Sequence, residues 1–538
     1  MTLKLSTVVW IYLSVCQVIQ FADSANIVFF FGVSSYSHRI PAWPLAEELA
    51  ERSHNVTFVS PYSAKNPNPK IFDYVPETLK KWVDSWGDIE NVFEDRKKGD
   101  WSSVWITLPM FGIMMCEVIY KDEEYVRWVK SVKVDLLIID ALGNDCAYGM
   151  AHYWGAKVIL FDTAAPFGYF SETYGLPDET SWIPSMELAY PTEMSFSQRL
   201  TNAVLPLAWH YYRKWYFFPT LAEITSDKLG ITNLPRFEEL ERNTSLVFLN
   251  THYGEEFPRS LPPNIVSVGG IAYTGKTKPL PKDMEDFLDK GDGFIYMSFG
   301  TYAEFNKFDV SIQQAFIGAM QNLPHIQFLW KVENVSLIEE FPKKNVYIGK
   351  WMPQQDILAH PKIRAFITHA GLIGIQEAIY NSVPLISFPI FADQDYNGER
   401  IHRKECGIRL EILTVTQSVL EEAIQKILGD QKYRNNMKKI SEMFADRPLK
   451  PLETALWWTD FVIRHSTEDL SALRPLNIGQ SGWKRRQLDV WAAIIVAMLV
   501  FMFLLSYAMY RTVKYCTKTS PSSAKSKHKA STRRKKGQ

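Results

Sequence analysis

Cysteine is scarce, five in 538 residues, and no two share a Cys-x-x-Cys spacing. Cys16 and Cys516 fall near the chain's ends, so only Cys116, Cys146 and Cys406 belong to the body, and neither a metal site nor a disulfide framework is indicated. Net charge is also absent, with 59 basic and 59 acidic residues. Ten of those cations lie between Arg511 and Lys536; without them 49 basic face 59 acidic residues, and a body near −10 argues against nucleic-acid binding. There is no internal repeat. With 46% hydrophobic and 22% charged residues, the composition is neither disordered nor collagenous but globular. The length exceeds what one hydrophobic core sustains, about 250 to 300 residues, so two large domains are expected.

What is present begins with a targeting layout. Lys4 precedes an apolar run over 8–21, followed by the small residues Ala22, Ser24 and Ala25, as in a cleavable secretory signal spanning 1–24. Residues 490–510 are uncharged and almost entirely apolar, about the 20 residues a membrane-crossing helix needs. The basic tail, 511–538, then lies in the cytoplasm by the positive-inside rule, against the smaller cluster Lys484, Arg485 and Arg486 on the other side. Type I topology with a lumenal body follows. Lys535 and Lys536, fourth and third from the end, resemble a dilysine retrieval signal of endoplasmic-reticulum membrane proteins. Sequons stand at Asn55, Asn243 and Asn334, of which Asn55, opening an apolar run, is the poorest.

From Asn26 onward, short apolar runs alternate with helix-like stretches: 27–33, 44–52 as helix, then 56–60, a βαβ opening. Continuous apolar runs at 136–139, 158–161 and 246–249 suit strands covered on both faces, hence a parallel sheet. Residues 195–230 form a long aromatic-rich helical stretch that either lines a greasy ligand cleft or packs as core. Tyr169, Phe170, Trp182, Trp215 and Tyr216 are open to the same two readings. A polar, proline-broken segment at 273–283 marks a domain boundary, and a second α/β series follows at 294–298, 327–330, 346–348, 365–368 and 385–388. The expected division is 25–277, 278–465 and a return segment 466–489 before the membrane helix. The fold class is α/β, two Rossmann-like parallel-sheet domains facing across a cleft, where ligands bind beyond the strands' carboxyl ends.

The most informative segment starts at Trp351-Met-Pro-Gln354 and runs through a strand into His369-Ala370-Gly371-Leu372-Ile373-Gly374, with Glu377 beyond. A helix start there points free N–H groups and its dipole's positive end into the cleft, which suits a diphosphate. Pro389-Ile-Phe-Ala-Asp393-Gln394 closes the segment at the next strand's carboxyl end. This order resembles the UDP-glycosyltransferase signature. Met297-Ser298-Phe299-Gly300-Thr301 and Ser37-His38 resemble further segments of that family, so the likeness covers the chain from Asn26 to the tail.

The resemblance implies the GT-B architecture, with the acceptor on the N-terminal domain and the nucleotide sugar on the C-terminal one. It implies that Trp351 stacks on uracil and Gln354 hydrogen-bonds the nucleoside. Glu377 would accept the ribose hydroxyls, Ser298 and His369 with Gly371 and Gly374 would meet the phosphates, and Asp393 and Gln394 would hold the sugar, a reading favoured over the alternative that either caps a helix. His38 would be the general base toward an acceptor hydroxyl, and Asp140, ending its strand, would orient the imidazole. Attack opposite the departing UDP inverts the anomeric centre. UDP-sugar is then a co-substrate, no cofactor is needed, and no metal enters the scheme because the helix start stabilises the diphosphate charge. The partners expected are the donor, a small lipophilic acceptor and the membrane; homo-oligomerisation is left open. Two positions depart from many members, Ala370 where a second glycine is usual and Ile373 where Asn is usual. Leu372-Ile373 is nearer to invertebrate-type members, which favours UDP-glucose over UDP-glucuronate. A non-enzymatic scaffold that keeps the fold, and a transferase acting on lipid or protein glycans, are the competing readings.

Overall fold

A computed structural model describes residues 24–519 except 34, 86–91, 99–102, 189, 274, 302, 333–341 and 343. The expected signal segment up to residue 23, the Asn334 sequon, and the tail beyond 519 with Lys535 and Lys536 lie outside the described residues.

Two parallel sheets organise the chain. The first is built from β1 (Asn26–Phe30), β2 (Asn55–Val59), β3 (Ile71–Tyr74), β4 (Leu136–Asp140), β5 (Lys157–Asp162), β6 (Leu246–Leu249) and β7 (Ile265–Ser267), in the order β3-β2-β1-β4-β5-β6-β7. The second is built from β8 (Phe294–Ser298), β9 (Gln327–Lys331), β10 (Val346–Gly349), β11 (Ile363–Thr368), β12 (Leu385–Ser387) and β13 (Gly407–Arg409), ordered β10-β9-β8-β11-β12-β13. All their pairings are parallel. The reason is visible in the strands: alternate residues feed two cores. In the first sheet Val28, Phe30, Leu137 and Ile139 join one buried cluster while Ile27, Phe29, Leu136 and Ile138 join the other. Helices on both faces of a sheet require such doubly apolar strands.

In both sheets the strand order reverses direction at one point, between β1 and β4 and between β8 and β11. Neighbouring loops there leave in opposite directions and open a crevice at the carboxyl ends. His38 follows β1, Asp140 ends β4, Ser298 ends β8 and His369 follows β11. The two crevices therefore hold four of the residues singled out from the sequence.

Helix Pro451–Arg464, grouped with the second sheet by its place in the sequence, packs on the first. Its Ala455, Leu456 and Val462 share the cluster of Ile27 and Phe29. Buried polar contacts also join the halves: Gln376 Nε2 donates to the Asn250 carbonyl at 2.8 Å, and Arg400 Nη1 to Glu256 Oε2 at 2.6 Å.

One expectation is corrected. Cys116 and Cys146 form a disulfide across a sequence separation of 30, with Cα atoms 5.7 Å apart. They lie far apart in sequence and meet only because the helix Ser103–Tyr120 packs beside the loop after β4. Closing a loop of that length contributes about 3–4 kcal/mol in the chain-entropy account. Replacing both cysteines by alanine should lower the thermal unfolding midpoint of the oxidised chain by several degrees; an unchanged midpoint would show that the bridge carries no stability.

The chain divides into two compact units after Ile478. The second contains helix Leu488–Thr519, 32 residues long and apolar enough to cross a membrane. At 1.5 Å per residue it extends roughly 48 Å, so the expected span 490–510 occupies only its core. Asn243 is exposed, and its side-chain oxygen accepts from Arg474 Nη1 at 3.1 Å.

Candidate active site

On the first sheet, His38 sits in the first turn of helix Tyr36–Glu51 and turns Nδ1 toward Asp140, 3.0 Å from Oδ2 and 3.2 Å from Oδ1. The Asp140 carboxylate is buried and His38 is partly open, at 19% side-chain exposure. Thr163 Oγ1 is a third neighbour, 2.8 Å from the same ring nitrogen. Burial alone would lower the His38 pKa, but the charge and hydrogen bond of Asp140, with Asp393 beyond, outweigh it and raise the imidazole above 6.5. Burial pushes Asp140 up, against the pull of His38. Asn144, wholly buried, braces this pair: its Nδ2 donates to Asp140 Oδ2 at 3.2 Å and its Oδ1 accepts from Val33 N at 2.7 Å.

On the second sheet, helix Leu372–Tyr380 begins with Gly371 as its cap residue, just past the end of β11, the strand paired with β8. The His369 imidazole lies across two glycines. A Cβ on Gly300 would come within 2.7 Å of its ring, and one on Gly371 within 2.6 Å. Burial lowers its pKa to about 4, with Lys331 adding to the effect, so the ring is neutral near pH 7. Its Nδ1 is buried and finds no hydrogen-bond partner among the described residues. Ala370 takes φ +67, a left-handed conformation that costs a residue with a Cβ about 1–2 kcal/mol. That backbone explains why glycine suits the position better than alanine.

Trp351 is 58% exposed, with the Lys65 ammonium 3.1 Å from its ring centroid, so it is a platform and not a core residue. Glu377 is buried and accepts from Gln354 Nε2 at 2.6 Å and Gln355 Nε2 at 2.9 Å. Burial raises its pKa against those two hydrogen bonds. A Cβ on Gly374 would stand 3.5 Å from Gln354 Nε2, an ordinary van der Waals contact. Ser298 is buried at the end of β8 and accepts from Gly300 N at 3.4 Å. Asp393 occupies the cap position of helix Gln394–Arg403 without a capping hydrogen bond and accepts from Asn397 Nδ2 at 2.7 Å instead. Burial raises the Asp393 pKa while His38, across the cleft, lowers it, so the two halves feel each other's charge. Gln394 spends Oε1 on the backbone N–H groups of Ile390 and Phe391, at 2.9 and 3.1 Å. Asp395 stands two residues from Asp393, an Asp-x-Asp spacing, but two guanidiniums engage it: Arg96 Nη1 at 2.8 Å and Arg409 Nη2 at 2.6 Å. Among the described residues, no group of three or more His, Cys, Asp or Glu is placed to hold a metal.

A histidine and its carboxylate partner on one wall thus face a helix start, a neutral histidine and an exposed indole on the other. The model of the family described as UDP-glucoronosyl and UDP-glucosyl transferase matches residues 33–523. The chain belongs to this family. The transferase is 30% identical over 494 residues to UDP-glucosyltransferase 2 of Dactylopius coccus, covering 90% of this chain and 93% of that protein. It is 27% identical over 486 residues to UDP-glucuronosyltransferase 1A8 of Homo sapiens, 87% and 88% of the two chains. Among solved structures, a UDP-glucosyltransferase from Polygonum tinctorium superposes with TM-score 0.56 at 16% identity, over 82% of this chain and 99% of that one. A UDP-glucose: anthocyanidin 3-O-glucosyltransferase superposes with TM-score 0.53 at 16% identity, over 83% and 100%. The fold of the transferase is GT-B, and the chain is a UDP-glycosyltransferase.

Four neighbours of the site escaped the sequence reading. Thr163 follows the end of β5 as Asp140 ends β4, so a polar residue closing an apolar run was the signal. Lys331 ends β9 the same way and donates to the Gly300 carbonyl. Gln355 and Asn144 carried no such signal, because their partners are set by packing. Of the five aromatics, Tyr169 and Phe170 are buried, Tyr169 lining a small cavity with Trp209, Arg213 and Phe217, whereas Trp182, Trp215 and Tyr216 are exposed.

Proposed function

We propose that the transferase moves a hexose, glucose in preference to glucuronate, from its UDP-sugar to a hydroxyl of a small lipophilic acceptor, with inversion. The observation that carries this reading is the His38 Nδ1 contact with Asp140 at 3.0 Å. A carboxylate on Nδ1 holds the proton there, leaving Nε2 to take the proton of the attacking hydroxyl, and it stabilises the imidazolium that forms. The acceptor oxygen bonds the anomeric carbon as the bond to UDP breaks on the opposite face, so an α-linked donor gives a β-linked product.

We assign the acceptor to residues 25–277 and the donor to 278–465. Trp351 stacks on the base, Gln354 and Glu377 meet the nucleoside, and Asp393 and Gln394 meet the sugar. The diphosphate lies at the helix start with Ser298, His369, Gly371 and Gly374, whose fixed dipoles offset its growing charge. Glucose is favoured by the insect relative's name and by Leu372-Ile373. Anchored by helix Leu488–Thr519, the chain sits in the endoplasmic-reticulum membrane with its catalytic halves lumenal.

The test is UDP release by microsomes carrying the full chain, with UDP-glucose or UDP-glucuronate and a panel of phenols and steroids. Acceptor-dependent release at least tenfold faster with UDP-glucose is expected. Faster release with UDP-glucuronate would overturn the donor preference, and no acceptor dependence would overturn the acceptor class.

A further inference from the structure

The short helix Val92–Lys97 belongs by chain order to the first half, yet Phe93, Arg96 and Lys97 reach into the second. Phe93 is buried in the second sheet's cluster, its ring 4.1 Å from that of Phe308, and Lys97 Nζ reaches Asp309 at 2.7 Å. Arg96 is 95% removed from solvent, with side-chain exposure of 5%, and every nitrogen of its guanidinium is engaged. Nη1 and Nη2 meet Asp395 at 2.8 and 3.1 Å, while Nε and Nη2 meet Glu411 at 2.8 and 2.6 Å. Nη1 also reaches the Ile390 carbonyl at 3.3 Å.

Ile390 and Asp395 bracket the turn that carries Asp393 and Gln394. That turn contains Ala392 at φ +56, a conformation a non-glycine residue keeps only where its surroundings force it. Gln394 holds the turn from inside through the Ile390 and Phe391 amides, and Arg96 holds it from outside through the Ile390 carbonyl and the Asp395 carboxylate. A planar fork with two carboxylates and a carbonyl in its reach fixes orientation as well as position, which a lysine cannot reproduce. Burial opposes the charge on Asp395, but Arg96 and Arg409 outweigh it and hold the carboxyl below its usual range.

We propose that Arg96 is a positioning residue of the donor site: the acceptor-side half supplies the guanidinium that holds the sugar-binding turn 390–395 in place. The inference rests on the reading of Asp393 as a sugar ligand, so that reading is tested beside it. Because Arg96 touches no part of the nucleotide's proposed seat, its loss weakens the grip on the sugar and spares the grip on UDP.

The experiment measures equilibrium dissociation constants of UDP-glucose and of UDP for the full-length chain in detergent, for wild type, Arg96→Met, Arg96→Lys, Glu411→Gln and Asp393→Ala. Arg96→Met should raise the ratio of the UDP-glucose constant to the UDP constant at least fivefold. Arg96→Lys should recover part of that rise. Glu411→Gln, which loosens one arm of the clasp without removing the guanidinium, should shift the ratio in the same direction by less. An unchanged ratio for Arg96→Met, or equal weakening of both ligands, would overturn the proposal. If Arg96→Met does not fold, an unchanged ratio for Glu411→Gln overturns it. An unchanged ratio for Asp393→Ala would instead remove the sugar-ligand reading itself.

Discussion

Replacing His38 by alanine should lower kcat by about 10²- to 10⁴-fold, the range a positioned general base supplies. The KM for the UDP-sugar should stay within roughly a factor of three, because the proposed mechanism has the imidazole act on the acceptor hydroxyl and seats the donor on the other half. The pH profile gives a sharper check. The proposed base must be neutral to work, and although burial lowers the His38 pKa, Asp140 outweighs it and raises it above 6.5. The rate should therefore fall as pH drops through a value above 6.5. Asp140→Asn removes the charge that favours the imidazolium while burial remains, so the acid limb should move to lower pH. The same substitution frees the ring to take the wrong tautomer, so the plateau rate should fall as well. Acid limbs that coincide in wild type and Asp140→Asn would show that His38 is not the group being titrated, and full activity in His38→Ala would end its assignment as the base.

Removal of the Glu377 carboxylate is the second large effect. Both of its oxygens already accept amide hydrogen bonds, at 2.6 and 2.9 Å, so its lone pairs are oriented before any nucleotide arrives. Hydrogen bonds to a charged group contribute about 1.5–3 kcal/mol each. Loss of even one such bond in Glu377→Ala should weaken UDP at least roughly 10-fold, with kcat at saturating donor changed far less. A ribose ligand makes a further demand. Wild type should bind UDP more tightly than 2′-deoxy-UDP, and Glu377→Ala should bind the two alike. Calorimetric titration reads both; discrimination that survives the substitution would place the ribose contact elsewhere.

Particular residues show how far the sequence was legible. Apolar runs such as 136–139 revealed parallel strands because a strand buried on both faces has no polar side to show. His38 and Asp140 were readable because each is a polar residue just past such a run, where parallel sheets bind ligands. Trp351, His369 and Glu377 were singled out through the family resemblance, because a glycine-flanked helix start after a strand is too common to point to a diphosphate by itself. The Cys116–Cys146 bond was not readable, since separation in sequence says nothing of distance in space. Nor was the return of helix Pro451–Arg464 to the first sheet, because its apolar stripe fits either core. Arg96 is the extreme case: its carboxylates lie about 300 residues further along the chain.

The sequence by itself determined the family, the two parallel sheets, the membrane-length helix and the chemistry available at each strand end, because these depend on short-range periodicity and on residue types at fixed spacings. Only the tertiary structure decided which charges meet across the cleft, how the His38 ring is held by Asp140 and Thr163, and which half supplies the guanidinium behind the turn 390–395. Those are contacts between distant segments, and their energies depend on separations and burial that no local pattern encodes.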